Sequence, residues 1–210
     1  LERGEEYANK VDLPEVWSQL AKAYLSQDLV SAAVAAYIKA KDTDDYLAVI
    51  DVAKRADDFD SMVKYLVMVR KKVKEPKVDS ELCYAYAKTG QLAELEEFIS
   101  QPNATKLDNI GERCFDEGLY EAAKVLFTTA SNWGRLASTL VKLHKFSDAV
   151  DAARKANHTR TWKEICFACV DEGEFRLAQL CALNIIVNAD EHPEATTLAV
   201  SPDRYFEHID

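Results

Sequence analysis

The stretch WKEICFACVDEGEFRLAQLC, residues 162–181, places two apolar series on either side of one short polar turn. Beyond the turn, Phe175, Ala178 and Cys181 recur three residues apart, and before it Trp162 and Cys166 stand four apart. Spacings of three and four residues line one face of an α-helix, because each turn of helix takes 3.6 residues. The stretch therefore reads as a helix, a turn through Glu172-Gly173-Glu174, and a second helix: one antiparallel hairpin.

The same arrangement recurs along the chain. Taking Phe175 as an anchor just after its turn, matching anchors are Leu29 after Ser26-Gln27-Asp28, Phe59 after Ala56-Asp57-Asp58, Leu92 after Thr89-Gly90-Gln91, Tyr120 after Glu117-Gly118-Leu119, and Phe146 after Leu143-His144-Lys145. Their separations are 30, 33, 28, 26 and 29 residues, a period of about 29. Three residues after the anchors come Ala32, Met62, Leu95, Ala123, Ala149 and Ala178, and six after them Ala35, Tyr65, Phe98, Leu126, Ala152 and Cys181. Thirteen before come Val16, Tyr46, Asp79, Leu107, Trp133 and Trp162, and nine before Leu20, Ile50, Cys83, Gly111, Ala137 and Cys166. Asp79 and Gly111 break the apolar rule. No run alternates with the period of two that a half-buried strand requires.

Small residues recur where paired helices should touch, at Ala32-Ala33, Ala122-Ala123, Ala152-Ala153 and Ala178. Short side chains let helix axes approach closely. One hairpin cannot bury its apolar face alone, whereas stacked hairpins share a core, so the pattern predicts an all-α solenoid. Asp12-Leu13-Pro14 is expected to start one helix, and Asp79 with Leu82 to open the third unit after the break at Glu75-Pro76. Thr159 and Thr161 are candidate N-caps before Trp162. Gln101-Pro102-Asn103 and Ala156-Asn157-His158 read as loops between units. No flexible linker interrupts the array, so residues 1–210 are expected to form a single solenoid segment.

Composition excludes several classes. Of 210 residues, 48% are apolar and 30% charged, with 6 Gly and 5 Pro. So little Gly and Pro argues against turn-rich β folds, collagen and linkers. No apolar run approaches the ~20 residues of a membrane-spanning helix. A net charge of −10 argues against nucleic acid as a principal partner. The 5 cysteines, an odd number in apolar contexts with no secretory segment before them, read as reduced cytosolic thiols. The opening Leu1-Glu2-Arg3, without an initiator Met, suggests a fragment of something longer.

The residues that might carry chemistry each have a simpler reading. Cys166 and Cys169 form a C-x-x-C, yet they fall inside a predicted helix with no strand before it and no second ligand pair, so they read as buried structural thiols. His144, His158, His192 and His208 are dispersed and fit surface or loop positions. Asp42, Asp44 and Asp45 resemble the start of a calcium loop, but Leu47 stands where its glycine belongs and Ala53 where its glutamate belongs; a helix-capping segment is expected instead. Asn103-Ala104-Thr105 and Asn157-His158-Thr159 match glycosylation acceptors, which matter only in a secreted protein. The stretch Arg70-Lys71-Lys72-Val73-Lys74-Glu75-Pro76-Lys77 reverses the local charge; it either complements a helix C-terminus or offers a surface to an acidic protein or anionic lipid. Trp17, Trp133 and Trp162, near the starts of units, are expected to pack in the core. No catalytic, metal-binding or cofactor-binding residue is predicted, and the reading is that of a non-enzyme.

The strings VWSQLAKAYL (16–25), LAELEEFI (92–99), NWGRLASTLVKL (132–143) and, above all, AARKANHTRTWKEICFACVDEGEFRLAQLCALNIIV (152–187) resemble the clathrin heavy-chain family, at its knee and the start of its proximal leg. The similarity runs from about residue 7 to Glu191. It lapses over His192-Pro193 to Pro202, where an apolar helix is expected, and returns at Asp203 to Ile209. The resemblance implies a structural role: part of the leg of a three-legged particle whose legs pack side by side in a polygonal lattice that coats vesicles on their cytoplasmic side. It implies other heavy chains as partners, and light chain mostly C-terminal to this segment. Adaptors, trimerisation and the membrane would be engaged through other parts of the chain. A different α-solenoid, a vesicle-tethering or peptide-binding scaffold, is the alternative; tetratricopeptide units are longer, at ~34 residues, with a pattern absent here.

Overall fold

The structure, a computed structural model, describes residues 2–187. Among them are thirteen α-helices and no strand: α1 (Glu2–Val11), α2 (Pro14–Leu25), α3 (Val30–Ala40), α4 (Tyr46–Arg55), α5 (Phe59–Lys72), α6 (Pro76–Lys88), α7 (Leu92–Ser100), α8 (Leu107–Asp116), α9 (Tyr120–Thr129), α10 (Trp133–Lys142), α11 (Phe146–Ala156), α12 (Thr159–Asp171) and α13 (Phe175–Val187). The chain divides into two compact units, Leu1–Lys106 and Leu107–Asp210. In the first, α1 leads into the hairpins α2/α3, α4/α5 and α6/α7; in the second the hairpins are α8/α9, α10/α11 and α12/α13. Within each unit a hairpin also packs on the next, α3 on α5 and α5 on α6, α9 on α10 and α11 on α12. These are the contacts that define a solenoid of hairpins.

Every hairpin turn carries one left-handed residue, at Asp28, Asp57, Gly90, Gly118, His144 and Gly173, with φ between 54° and 78°. In each case the second helix begins two residues later, at Val30, Phe59, Leu92, Tyr120, Phe146 and Phe175. The sequence reading of the first unit is therefore one residue out of register. Leu29, expected as its anchor, is exposed, whereas Val30 is buried. The expected core residues Ala32 and Ala35 are half-buried and exposed, and Ala33 and Ala36 take their places. The physical reason is that Leu29 occupies the N-cap position between Asp28 and α3. With Val30 as anchor, Trp17 falls thirteen residues before it, in line with Trp133 and Trp162.

The two exceptions to the apolar rule are explained by packing. Gly111 is buried on α8, where a Cβ would lie 2.7 Å from Phe127 Cε1. Asp79 on α6 links three segments, accepting from Arg70 Nε at 3.3 Å and from the backbone N–H of Ala104 at 3.1 Å. Two boundaries also differ from expectation. Pro76 is the first residue of α6 rather than a break before it. The N-cap of α12 is His158, with Thr159 already helical and Thr161 inside the first turn, so neither threonine caps. Pro14 does open α2, as expected.

Candidate interaction surface

The basic stretch ends α5 and crosses to α6. Arg70 is half-buried, paired with Asp79 and stacked 4.5 Å over the Phe98 ring. Lys72 Nζ donates to the carbonyl of Lys41, at the left-handed C-cap of α3, at 2.8 Å. Lys74 Nζ donates to the carbonyl of Arg70 at 2.9 Å. Carbonyls at helix ends lack intrahelical partners and carry the negative end of the dipole, so these cations satisfy both needs. Lys72 and Lys74 thus serve helix ends, Arg70 is taken up by Asp79 and the Phe98 ring, and Lys71 and Lys77 are exposed on the surface.

The acidic segment between α3 and α4 is a hub rather than a simple cap. Asp42 accepts from the Ser18 hydroxyl at 2.7 Å and from the Asp44 N–H at 2.9 Å. Asp45 accepts from the Tyr37 hydroxyl at 3.0 Å and pairs with Lys22 at 3.4 Å, and the Tyr65 hydroxyl reaches the Asp42 carbonyl at 3.3 Å. Burial alone would raise the Asp42 carboxyl, yet the Ser18 and Asp44 hydrogen bonds and nearby Lys22 and Lys72 hold it below its ordinary value. Burial pushes the Tyr37 and Tyr65 hydroxyls upward, so both remain neutral donors. Asp45 occupies the N-cap of α4 but makes no side-chain cap. None of these contacts is local in sequence except those within the loop, which is why the pattern of residues gave no sign of them.

Grooves open between helices among the described residues. One, of about 410 Å³, lies over Tyr37 and Val52 in the first unit and is edged by Lys22, Asp28, Asp45 and Arg55. Another, of about 270 Å³, lies over Trp133, Leu136 and Leu140 in the second, edged by Lys124, Asp148 and Lys155. Trp17 and Trp162 are buried as expected, but Trp133 is only half-buried, with Lys155 Nζ 4.5 Å above its ring. Arg135, which sequence reading passed over, donates to both Glu112 carboxylate oxygens at 2.6 Å and lies 4.3 Å over Phe115, joining α10 to α8.

Among the described residues, no nucleophile–base arrangement assembles around Cys166, Cys169, His144 or His158. All 5 cysteines are buried, and Cys166 and Cys169 lie in mid-helix on α12. His144 forms the left-handed turn before α11, edge-on to Phe146, with Nδ1 3.8 Å from Glu172. His158 is the N-cap of α12; His192, His208 and the segment 192–202 lie outside the described residues. Among the described residues no group of His, Cys, Asp and Glu could hold a metal ion, and no helix is long and apolar enough to cross a membrane.

Stacked antiparallel hairpins of about 29 residues, joined by side-chain links between neighbours, define a helical-repeat scaffold. Residues 37–177 match the family described as a region in clathrin and VPS, and the chain belongs to that family. It is 58% identical over 191 residues to the clathrin heavy chain of Drosophila melanogaster, covering 91% of this chain and 11% of that one. It is 56% identical over 196 residues to clathrin heavy chain 1 of Arabidopsis thaliana, and 49% identical over all 210 residues to clathrin heavy chain 2 of Homo sapiens. The chain spans between 11% and 13% of the length of these relatives.

Proposed function

We propose that this chain is a structural leg segment of a clathrin heavy chain, packing beside other heavy chains in the lattice that coats vesicles at the cytoplasmic face of membranes. The observation that carries the reading is 58% identity to a clathrin heavy chain across 91% of the chain, in a fold of stacked hairpins that supplies a scaffold. In this reading the six hairpins of residues 1–210 belong to one array, no reaction is catalysed and no cofactor is needed. Light chain binds mostly C-terminal to this segment, and adaptors bind elsewhere in the full protein. A repeat scaffold suits such a leg, because small angular changes at each hairpin interface add along the array. Weak contacts repeated along many legs hold a lattice by avidity while each stays breakable.

The test is replacement of the corresponding segment of a full-length clathrin heavy chain by this one. The expected result is trimers that still assemble into closed cages, seen by light scattering and electron microscopy. Trimers that form normally but never assemble would overturn the reading. In parallel, light chain should be retained poorly by this chain and well by one extended C-terminally by two repeats; equal retention would place the light-chain site within these residues.

A further inference from the structure

Among the described residues of the second unit, the exposed large apolar side chains gather on the last hairpin, and on α13 three of them share a stripe. Leu180 is 43% exposed, Leu183 56% and Val187 75%. With Arg176, also exposed, they stand four, three and four residues apart, the spacing that keeps side chains on one seam of a helix facing another helix. Phe175 and Ile186 lie off this seam, round toward a neighbouring side of α13.

The repeat shows that the stripe is particular to this hairpin. Five and eight residues after the anchor, where α13 has Leu180 and Leu183, α5 has Lys64 and Val67, α7 has Glu97 and Ser100, and α11 has Asp151 and Arg154, the last pair joined at 2.9 Å. None of the other five second helices has a large apolar residue at both positions. Packing within the hairpin does not account for the leucines either, since the residues α13 buries are Ala178, Cys181 and Ile185.

We propose that this stripe is an interaction surface and that its occupant is the same stripe of a second copy of the chain, α13 lying antiparallel against α13 about a two-fold axis near Leu183. Charge selects both the copy and the orientation. The chain carries a net −10, so two copies approach most readily through a face without acidic residues; α13 has none, and its one charged residue is Arg176. Its last turn has no basic residue to complement the negative end of the helix dipole. Antiparallel pairing sets Arg176 of each copy against that end of the other, whereas parallel pairing would set the two arginines together. A two-fold contact closes after one pairing, so it yields dimers and nothing larger. Four side chains on each copy fall short of the ~800 Å² per partner of a stable interface, so the dimer is a weak one. The contact goes beyond the coat reading and does not depend on it. A chain that pairs without supporting cages would leave the contact standing, and a monomeric chain that supports cages would remove the contact alone.

Sedimentation of the folded 210-residue chain between about 5 μM and about 1 mM tests the pairing. The expected result is a mass that rises with concentration from one chain toward two and goes no higher. Leu183→Asp, which puts a charge on an exposed position at the centre of the seam, should weaken pairing by about tenfold or more. Arg176→Glu should weaken it at low salt and less at high salt. A chain that stays monomeric throughout overturns the proposal and would mean that the stripe is covered from within the chain or by a different protein. Species larger than dimers overturn it too, as does pairing that Leu183→Asp leaves unchanged or that Arg176→Glu leaves unchanged at low salt. Amide exchange of the parent chain needs no variant to fold: α13 should be better protected at the top of the concentration range than at the bottom, and equal protection overturns the proposal.

Discussion

The ring of Phe127 fills the space that any side chain on Gly111 would need, with a Cβ there falling 2.7 Å from Phe127 Cε1. Phe127 is fully buried and has no room to yield. Gly111→Ala gains about 1 kcal/mol of helix propensity but overpacks the α8/α9 interface at about 1–3 kcal/mol, so the net change is a loss of stability. Urea unfolding of Gly111→Ala and of Gly111→Ala/Phe127→Leu tests this. The smaller partner should restore part of the loss, and a Gly111→Ala chain more stable than the parent would contradict the packing argument.

Gly173 stands in open space with φ +78°, so replacing it isolates backbone strain from steric contact. Gly173→Ala should cost about 1–2 kcal/mol, the penalty of a left-handed L-residue, and Gly173→Asn less, because asparagine tolerates that region. Equal stability of the alanine variant and the parent would show that the turn does not require its left-handed residue.

Acid should weaken the hub at Asp42. Its carboxyl lies below its ordinary value in the folded chain, so the stabilisation it provides is complete above the unfolded value of about 3.9 and is lost as pH falls through the lower, folded value. Asp42→Asn should therefore destabilise by roughly 1–2 kcal/mol at pH 7. The gap between variant and parent should close as the pH is brought below 4. A gap that persists unchanged in acid would mean that the ionised carboxyl is not what the Ser18 and Asp44 hydrogen bonds stabilise.

Arg135 holds Glu112 with two parallel hydrogen bonds and stacks on Phe115, and a lysine can do neither. The pair is partly exposed, so Arg135→Lys should cost about 1 kcal/mol, a value that salt reduces only in part because the stacking contribution remains. Chemical denaturation at low and high ionic strength separates the two contributions. An effect abolished by salt would leave no role for stacking.

Periodicity made the fold readable because a hairpin repeat buries the same positions in every copy. Leu95, Leu126 and Ala149, placed on inner faces by counting alone, are all fully buried. Counting failed at Leu29, because neither spacing nor hydropathy separates an N-cap leucine from the first residue of a helix. The polar links were hidden for another reason. Ser18 meets Asp42 and Arg135 meets Glu112 across separations of more than twenty residues, on opposite sides of helix interfaces. The two oddities that sequence did display, Asp79 and Gly111, mark such interfaces: one a polar junction, the other a point of closest approach.

The left-handed residue two positions before the second helix of every hairpin has a genetic corollary. A coding segment that runs from one such residue to the next specifies a module whose two ends share one backbone conformation, whether the residue is Asp, Gly or His. Such a segment can be copied or lost in frame and rejoin its neighbours without new junction chemistry. Lineages can therefore change length by whole hairpins, in steps of about 29 residues, while each turn stays as it was.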